Sequence, residues 1–337
     1  MRAEGPVTDV AIQSRAFEKI SQHARSRALA RFRFNDGLFY QLTRASAIIV
    51  LILLAGIILS LILGAALALG TFGFNFLISE RWNPVTEVFG AAAPIYGTVV
   101  TSLIALLIAA PVGLLIALFL TELCPMMLRR PIGIAIELLA GIPSIIYGIW
   151  GLFEFAPFLQ RTLQPFLIDT FADVPVLSTL FAGPPYGIGI LTASLILAIM
   201  ALPIITSISR DVFDTVPAVL KEAAYGVGCT TWEVFRHVVL PYTRVGVIGA
   251  IMLALGRVLG ETMAVTFVIG NSHRISGSLL APGTTIAATI ANEFTEAVGD
   301  LYYSSLIALG LILFVITFVV LAAARYMLMR LEQRIGQ

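Results

Sequence analysis

Six long apolar runs set the fold of this 337-residue chain. Each run reaches about 20 residues, the length that an α-helix needs to cross the hydrocarbon core of a bilayer. The predicted spans are residues 45–69, 94–123, 131–157, 186–207, 242–270 and 304–327. A composition of 58% apolar and 12% charged residues excludes an ordinary soluble domain. We therefore predict an all-α polytopic membrane protein with six transmembrane helices.

The basic residues predict which side of the membrane each loop occupies. Of the 21 Lys and Arg residues, 17 fall on the side that holds both termini, and only three fall on the other side. By the positive-inside rule, the N- and C-termini are predicted to be cytoplasmic. The net charge of +1 gives no indication of a nucleic-acid partner.

The predicted spans divide the chain into three parts. Residues 1–44 form a basic cytoplasmic arm, which we expect to end in an amphipathic elbow helix on membrane lipid. For residues 1–15 a disordered basic tail fits equally well. Residues 45–330 form the six-span transmembrane domain, with a cytoplasmic loop at 209–241, and residues 331–337 form a cytoplasmic tail.

A polar, helix-prone segment interrupts the apolar runs at residues 221–241, with the sequence KEAAYGVGCTTWEVFRHVVLP. We predict a short helix, a sharp turn permitted by Gly226 and Gly228, and a second helix that Thr230 or Thr231 caps and Pro241 limits. We call this segment the finger. From composition alone, an amphipathic helix lying on the bilayer is an equal alternative.

The finger resembles the EAA loop of ABC-transporter permeases. In that family the loop seats on the ATPase subunit, so the resemblance implies a coupling role for Glu222, Ala223, Ala224 and Gly228. The only lysines are Lys19 and Lys221, and neither lies in a phosphate-binding Gly-rich loop. We therefore expect no cofactor in this chain, a non-catalytic role, and ATP and Mg bound by a partner ATPase.

Two charged residues fall inside the fifth predicted span. Arg257 lies near its middle, where a charge costs roughly 2.5–3.5 kcal/mol, and Glu261 follows one helical turn later. We predict that Arg257 contacts an anion in the translocation pathway and that Glu261 limits how tightly it binds. A structural ion pair that locks helices together is the alternative.

A break is predicted in the third span, where Gly141 and Pro143 interrupt the helical pattern. We place Pro143 and Ser144 near a gate, because non-helical backbone at that depth requires protein or water around it. Glu137 belongs either to the pathway or to the interface with cytoplasmic water. Thr98 is predicted to add a neutral donor to the pathway.

Longer stretches, including AIELLAGIPSIIYGIWGLFEFAP and LGRVLGETMAVTFVIGN, resemble the C-type permease subunits of bacterial high-affinity phosphate ABC transporters. The resemblance covers residues 94–330. It implies an inner-membrane phosphate importer with a sister permease in a heterodimer, two ATPase subunits and a periplasmic phosphate-binding protein. A phosphate-signalling regulator is a further implication. The alternatives are a permease for molybdate, sulfate or phosphonate, and a proton-coupled secondary transporter.

Overall fold

The computed structural model describes the backbone of residues 7–335 and the side chains of residues 36–330. These residues are helical, apart from short connections and one isolated antiparallel bridge between Asn83 and Val88. The helices in chain order are α1 (Val7–Phe72), α2 (Asn75–Ile78), α3 (Ala92–Leu118), α4 (Met126–Ala140), α5 (Ser144–Trp150), α6 (Ala156–Arg161), α7 (Leu163–Phe171), α8 (Leu177–Leu180), α9 (Ile190–Asp214), α10 (Ala218–Gly226), α11 (Thr231–Val234), α12 (Leu240–Leu259), α13 (Met263–Val268), α14 (Ile286–Glu293) and α15 (Asp300–Ile335). Wider π-helical turns occur at Phe119–Leu123, Gly151–Phe155 and Phe235–Val239.

Contacts divide the chain into residues 1–60 and residues 61–337. From residue 7, where the described backbone begins, the first unit is the first part of α1, and from residue 36 onward nearly all its side chains are exposed. The elbow predicted within residues 1–44 depends on side chains that, up to residue 35, lie outside the described residues. The side chains of the predicted tail at 331–337 also lie outside them, and its backbone is described only to Ile335, the last residue of α15.

The predicted membrane spans coincide with the long apolar helices. Within the described residues, five helices are long and apolar enough to cross a membrane. The pair Met126–Ala140 and Ser144–Phe171 gives a sixth span when it is counted as one, although its halves are bent by 89°. Each of the six predicted runs therefore overlaps one of these spans, and the all-helical membrane fold is confirmed.

The 89° bend falls at the predicted break, between α4 and α5. Pro143 has no backbone N–H, so it cannot donate to the carbonyl of Leu139 as a helix would require. That carbonyl instead accepts hydrogen bonds from the Ile142 N–H at 3.3 Å and from the Tyr147 hydroxyl at 3.0 Å. The Tyr147 side chain thus stabilises a broken helix that the sequence predicts.

The fifth predicted span is shorter than expected. The sequence predicted a continuous run to residue 270, whereas α12 ends at Leu259 and α13 begins only at Met263. Gly260, Glu261 and Thr262 lie in the break. Glu261 is therefore not on the helix that carries Arg257, and the expectation of a shared helix face is wrong.

The centre of the second unit is the packing of α3 against α9. Small residues recur at every fourth position of α3, so that one face of the helix allows close approach. This buried stripe consists of Ala93, Gly97, Thr101, Ala105, Ala109, Gly113 and Ala117. A Cβ on Gly113 would lie 2.8 Å from Ile205 Cγ2, and Thr206 Oγ1 donates to the Gly113 carbonyl at 3.3 Å.

The side of the molecule opposite the finger carries a buried aromatic cluster. The Trp82 ring lies 5.0 Å from Phe89 and 5.2 Å from His273, and the Tyr302 hydroxyl donates to Glu293. Within the described residues, His273 Nε2 is buried without a hydrogen-bond partner. Burial lowers the pKa of His273 below 6.5, and the nearby Glu293 carboxylate partly opposes that shift.

The lowered pKa of His273 predicts acid sensitivity of the segment 271–283. The folded state disfavours the charged imidazole of His273, whereas the unfolded state does not. The free energy of unfolding is therefore unaffected by this group above a pH of about 6.5 and decreases as the pH falls below that value. The protection of residues 271–283 against hydrogen exchange, relative to the intrinsic exchange rate at each pH, should be lower at a pH of about 5.5 than at about 7.5. His273→Gln should remove this difference, whereas His237→Gln on the finger should keep it. Equal pH dependence in the wild type and His273→Gln would contradict this prediction.

Candidate functional site

The finger forms the predicted helix, turn and helix. Thr230 caps α11 with a reciprocal pair of bonds: its hydroxyl accepts from the Glu233 N–H, and the Glu233 carboxylate accepts from the Thr230 N–H at 2.8 Å. Gly228 has a φ of +93°, which glycine adopts without the steric penalty of a side chain. The predicted turn at Gly228 and cap at Thr230 are confirmed.

Pro241 does not end the second finger helix, contrary to the sequence prediction. The helix widens at Phe235–Val239, where the Leu240 N–H donates to the Phe235 carbonyl five residues earlier. The widened turn is followed by Pro241 near the start of α12, a position where its missing N–H costs little. The finger is therefore continuous with a membrane-spanning helix.

The finger presents an apolar surface to solvent. Glu222, Ala223 and Gly228 are exposed, whereas Ala224 is half-buried against the cluster that includes Phe213 and Phe235. Exposed large apolar side chains next to these residues are Val219 (73%), Leu220 (43%), Tyr225 (40%), Val227 (82%) and Trp232 (53%). An exposed apolar patch of this kind marks a protein or membrane contact.

One ion pair connects the finger to the end of a spanning helix, and another joins the ends of two spanning helices. Lys221 Nζ lies 2.6 Å from Glu122 Oε1, in the π-helical turn that follows α3. Arg129 in α4 lies 2.5 Å from Asp214, the last residue of α9. A displacement of the finger would therefore pull directly on α3 through the Glu122–Lys221 pair.

Loss of the Glu122–Lys221 ion pair should lower the stability of the protein more than loss of the more exposed Arg129–Asp214 pair. The Glu122 and Lys221 side chains are only 11% and 17% exposed, so Lys221→Met leaves a carboxylate poorly solvated and should cost about 1–3 kcal/mol of stability. The double variant Glu122→Gln/Lys221→Met should regain most of that loss. Thermal unfolding of the purified protein measures both.

The matched control is Arg129→Met, whose pair with Asp214 is 32% and 48% exposed. Breaking such an exposed pair should cost about 1 kcal/mol or less. Equal losses for Lys221→Met and Arg129→Met would show that burial of the first pair does not matter.

Arg257 lines a cavity of about 860 Å³ between α12, α15 and the middle of α9. Its walls include Ile204, Gly249, Met252, Gly256, Arg257 and Arg325. Within residues 36–330 neither arginine has an ion-pair partner. The structural alternative for Arg257, an ion pair with Glu261, is thus not observed among the described side chains.

The other predicted pathway residues lie outside this cavity. Glu261 Oε1 accepts from the Ala264 N–H at 3.4 Å at the start of α13. Glu137 pairs with Arg210 at 2.7 Å. Pro143 lies at the bend, and Ser144 is the first residue of α5. Thr98 is buried, where its hydroxyl donates to Pro94 and accepts from the Ile286 N–H.

Sequence reasoning missed two features of the site. It counted Arg325 with the cytoplasmic charges, although this residue lies within the last predicted span at 304–327. The spacing of Leu321, Arg325 and Leu328 placed them on one helix face, and that signal was available. It also missed the Arg210–Glu137 pair, whose partners are 73 residues apart.

Comparisons with known proteins agree with this fold. Residues 109–333 match the family "Binding-protein-dependent transport system inner membrane component". The chain is 71% identical over 313 residues to "Phosphate transport system permease protein PstC" of Mesorhizobium japonicum, covering 93% of this chain and 96% of that protein. It is 58% identical over 300 residues to the protein of the same name in Pasteurella multocida, covering 89% and 93%.

A solved structure shares the architecture. The inward-facing MetNI methionine ABC transporter gives a TM-score of 0.54 at 15% identity, covering 74% of this chain and 99% of that one. At this identity the likeness supports the fold alone. The sequence matches confirm the family that the finger motif predicted. The chain belongs to the family of inner membrane components of binding-protein-dependent transport systems.

Proposed function

We infer that this chain is the permease subunit of an ATP-driven phosphate importer. The observation that carries this inference is the agreement with phosphate permeases along nearly the whole length of both chains. The chain is a non-catalytic, multi-pass component of the inner membrane. It contributes one part of the translocation pathway, and ATP is hydrolysed by a partner ATPase.

The finger is the contact with that ATPase. Its exposed residues Glu222, Ala223 and Gly228 lie beside the apolar patch of α10 and α11, while Ala224 anchors α10 to the body of the protein. Closure of the ATPase pair on ATP and Mg moves the finger. The motion reaches α12 through the continuous helix and α3 through the Glu122–Lys221 pair.

Phosphate crosses beside Arg257. A guanidinium presents planar, paired donors that match phosphate oxygens, and its charge repels cations. Glu261, at the break between α12 and α13, and Glu137, Pro143 and Ser144, near the bent third span, adjust the opening of the pathway. Thr98 supports the pathway from the packing between α3 and α14.

The complete transporter contains further chains. A sister permease supplies the other half of the pathway, two ATPase subunits bind the fingers, and a periplasmic phosphate-binding protein delivers the anion. The distribution of Lys and Arg supports a cytoplasmic finger and cytoplasmic termini. A phosphate-responsive cytoplasmic regulator would act on this assembly.

Reconstituted transport tests the function. Liposomes that contain this chain, its sister permease and the ATPase should accumulate phosphate only with internal ATP and the external binding protein. Sulfate, molybdate and phosphonate, each with its own binding protein, should not stimulate the ATPase. Uptake that needs no ATP but stops with a protonophore would indicate a proton-coupled transporter instead.

A further inference from the structure

The cavity that holds Arg257 holds a second arginine of unassigned role. Arg325 projects from α15, and the remaining walls that the two share are mainly apolar. Glu261 and Glu137, the acidic residues predicted for the pathway, both contact other groups. Within the described residues, two arginines therefore line one cavity, and neither forms an ion pair with a carboxylate.

The register of the helices sets the spacing of the two arginines. A Cβ on Gly256 would lie 3.7 Å from Leu321 Cδ1, so these positions face each other across α12 and α15. Arg257 follows Gly256 by one residue along α12, and Arg325 follows Leu321 by four residues along α15. The two arginines are therefore displaced in opposite directions from the level at which Gly256 faces Leu321. At 1.5 Å per residue, their backbones are about 7 Å apart along the helix axes.

This arrangement fits a tetrahedral oxyanion. Arg257 and Arg325 are both exposed in the wall of this open cavity. An anion between them would accept charge-assisted hydrogen bonds from both side chains and offset the repulsion between their charges. Arg325 lies nearer to the finger along α15, so an anion leaving Arg257 toward the finger would meet Arg325 next. Arg325 lies near the end of the predicted span at 304–327, where its side chain could reach water, and this explains its charge but not its place in the wall of this cavity.

We propose that Arg325 is a second anion-binding residue, which with Arg257 holds phosphate within the membrane domain. The proposal rests on the proposed function and extends it to a residue that no motif marks. Phosphate oxygens also occur in lipid headgroups, so the experiment separates free phosphate from anionic lipid.

Binding of radiolabelled inorganic phosphate to the complete, purified transporter without binding protein gives the direct test. Arg325→Gln should weaken binding at least about tenfold, because it removes a charged partner of the anion. Arg325→Lys should restore part of the affinity, since it keeps the charge without the planar fork. Arg330→Gln is the matched control, because Arg330 stacks on Tyr326 outside the cavity wall, and it should bind like the wild type.

Two vesicle compositions identify the source of the phosphate group. In pure phosphatidylcholine and in mixtures with phosphatidylglycerol, Arg325→Gln should reduce phosphate uptake by the same factor. A defect that appears only with phosphatidylglycerol, with unchanged binding of inorganic phosphate, would assign the site to lipid and overturn the proposal. Unchanged binding and uptake in a transporter whose wild type imports phosphate would also overturn it, whereas a wild type without phosphate uptake would overturn the proposed function itself.

Discussion

Replacing Arg257 by Gln should lower ATP-driven phosphate uptake about 10- to 100-fold, because a charge-assisted hydrogen bond contributes about 1.5–3 kcal/mol. The protein should still insert and fold. Within residues 36–330 Arg257 has no ion-pair partner, so its removal leaves no unpaired carboxylate, and a charge at that depth is itself costly. Uptake in reconstituted liposomes, at equal amounts of assembled transporter, measures the effect.

Two further variants separate the anion contact from a structural role. Arg130→Gln removes an exposed arginine of α4 outside the cavity and should transport normally. Arg210→Gln breaks the pair with Glu137 and should lower thermal stability, whereas Arg257→Gln should not. Wild-type uptake by Arg257→Gln would remove this residue from the pathway. A loss of uptake that follows a matching loss of stability would favour the structural alternative.

The sequence predicted features that depend on a few adjacent residues. The break in the third span follows from the missing N–H of Pro143, and the turn of the finger follows from the conformational freedom of Gly228. Both are local consequences of covalent chemistry. The apolar length of a span is likewise a property of a single segment, so each of the six predicted runs overlaps a spanning helix or the bent pair.

Two predictions from adjacent residues were wrong, at positions where the backbone can adopt more than one conformation. Pro241 was expected to limit the finger helix, but the wider turn at Phe235–Val239 allows the chain to continue into α12. Gly260 was expected to continue a span, but α12 ends there. Pro241 and Gly260 are the same residue types as Pro143 and Gly228, which behaved as predicted. The surrounding packing therefore decides whether a proline or glycine ends a helix.

Pairings between distant segments could not be predicted from one sequence. Glu122 and Lys221 are 99 residues apart, and nothing in either segment specifies the other. The same holds for the cavity, because Arg257 and Arg325 meet only through the packing of α12 against α15. The charged residues were visible, but their partners depend on tertiary structure.

Replacing Gly228 by Ala should uncouple the finger, with ATP-driven uptake reduced at least about fivefold. A Cβ there would meet nothing within 4 Å, so the cost comes from the φ of +93°, which for an L-residue is about 1–2 kcal/mol. A turn that relaxes this strain would shift Val227 and Trp232, and with them the surface proposed to bind the ATPase. Gly228→Val should have a larger effect, because branching at Cβ makes this backbone conformation less accessible.

Gly226 provides the matched control for the turn. A Cβ at this position would also meet nothing within 4 Å, but its φ lies outside the left-handed region and it ends α10. Gly226→Ala should therefore keep normal uptake and normal co-purification with the ATPase, because alanine is favourable in a helix. Equal losses in the two alanine variants would show that added bulk, rather than backbone strain, disturbs the contact. Full uptake by both Gly228 variants would exclude the turn from coupling, because a strained or displaced finger could not transmit ATPase closure unchanged.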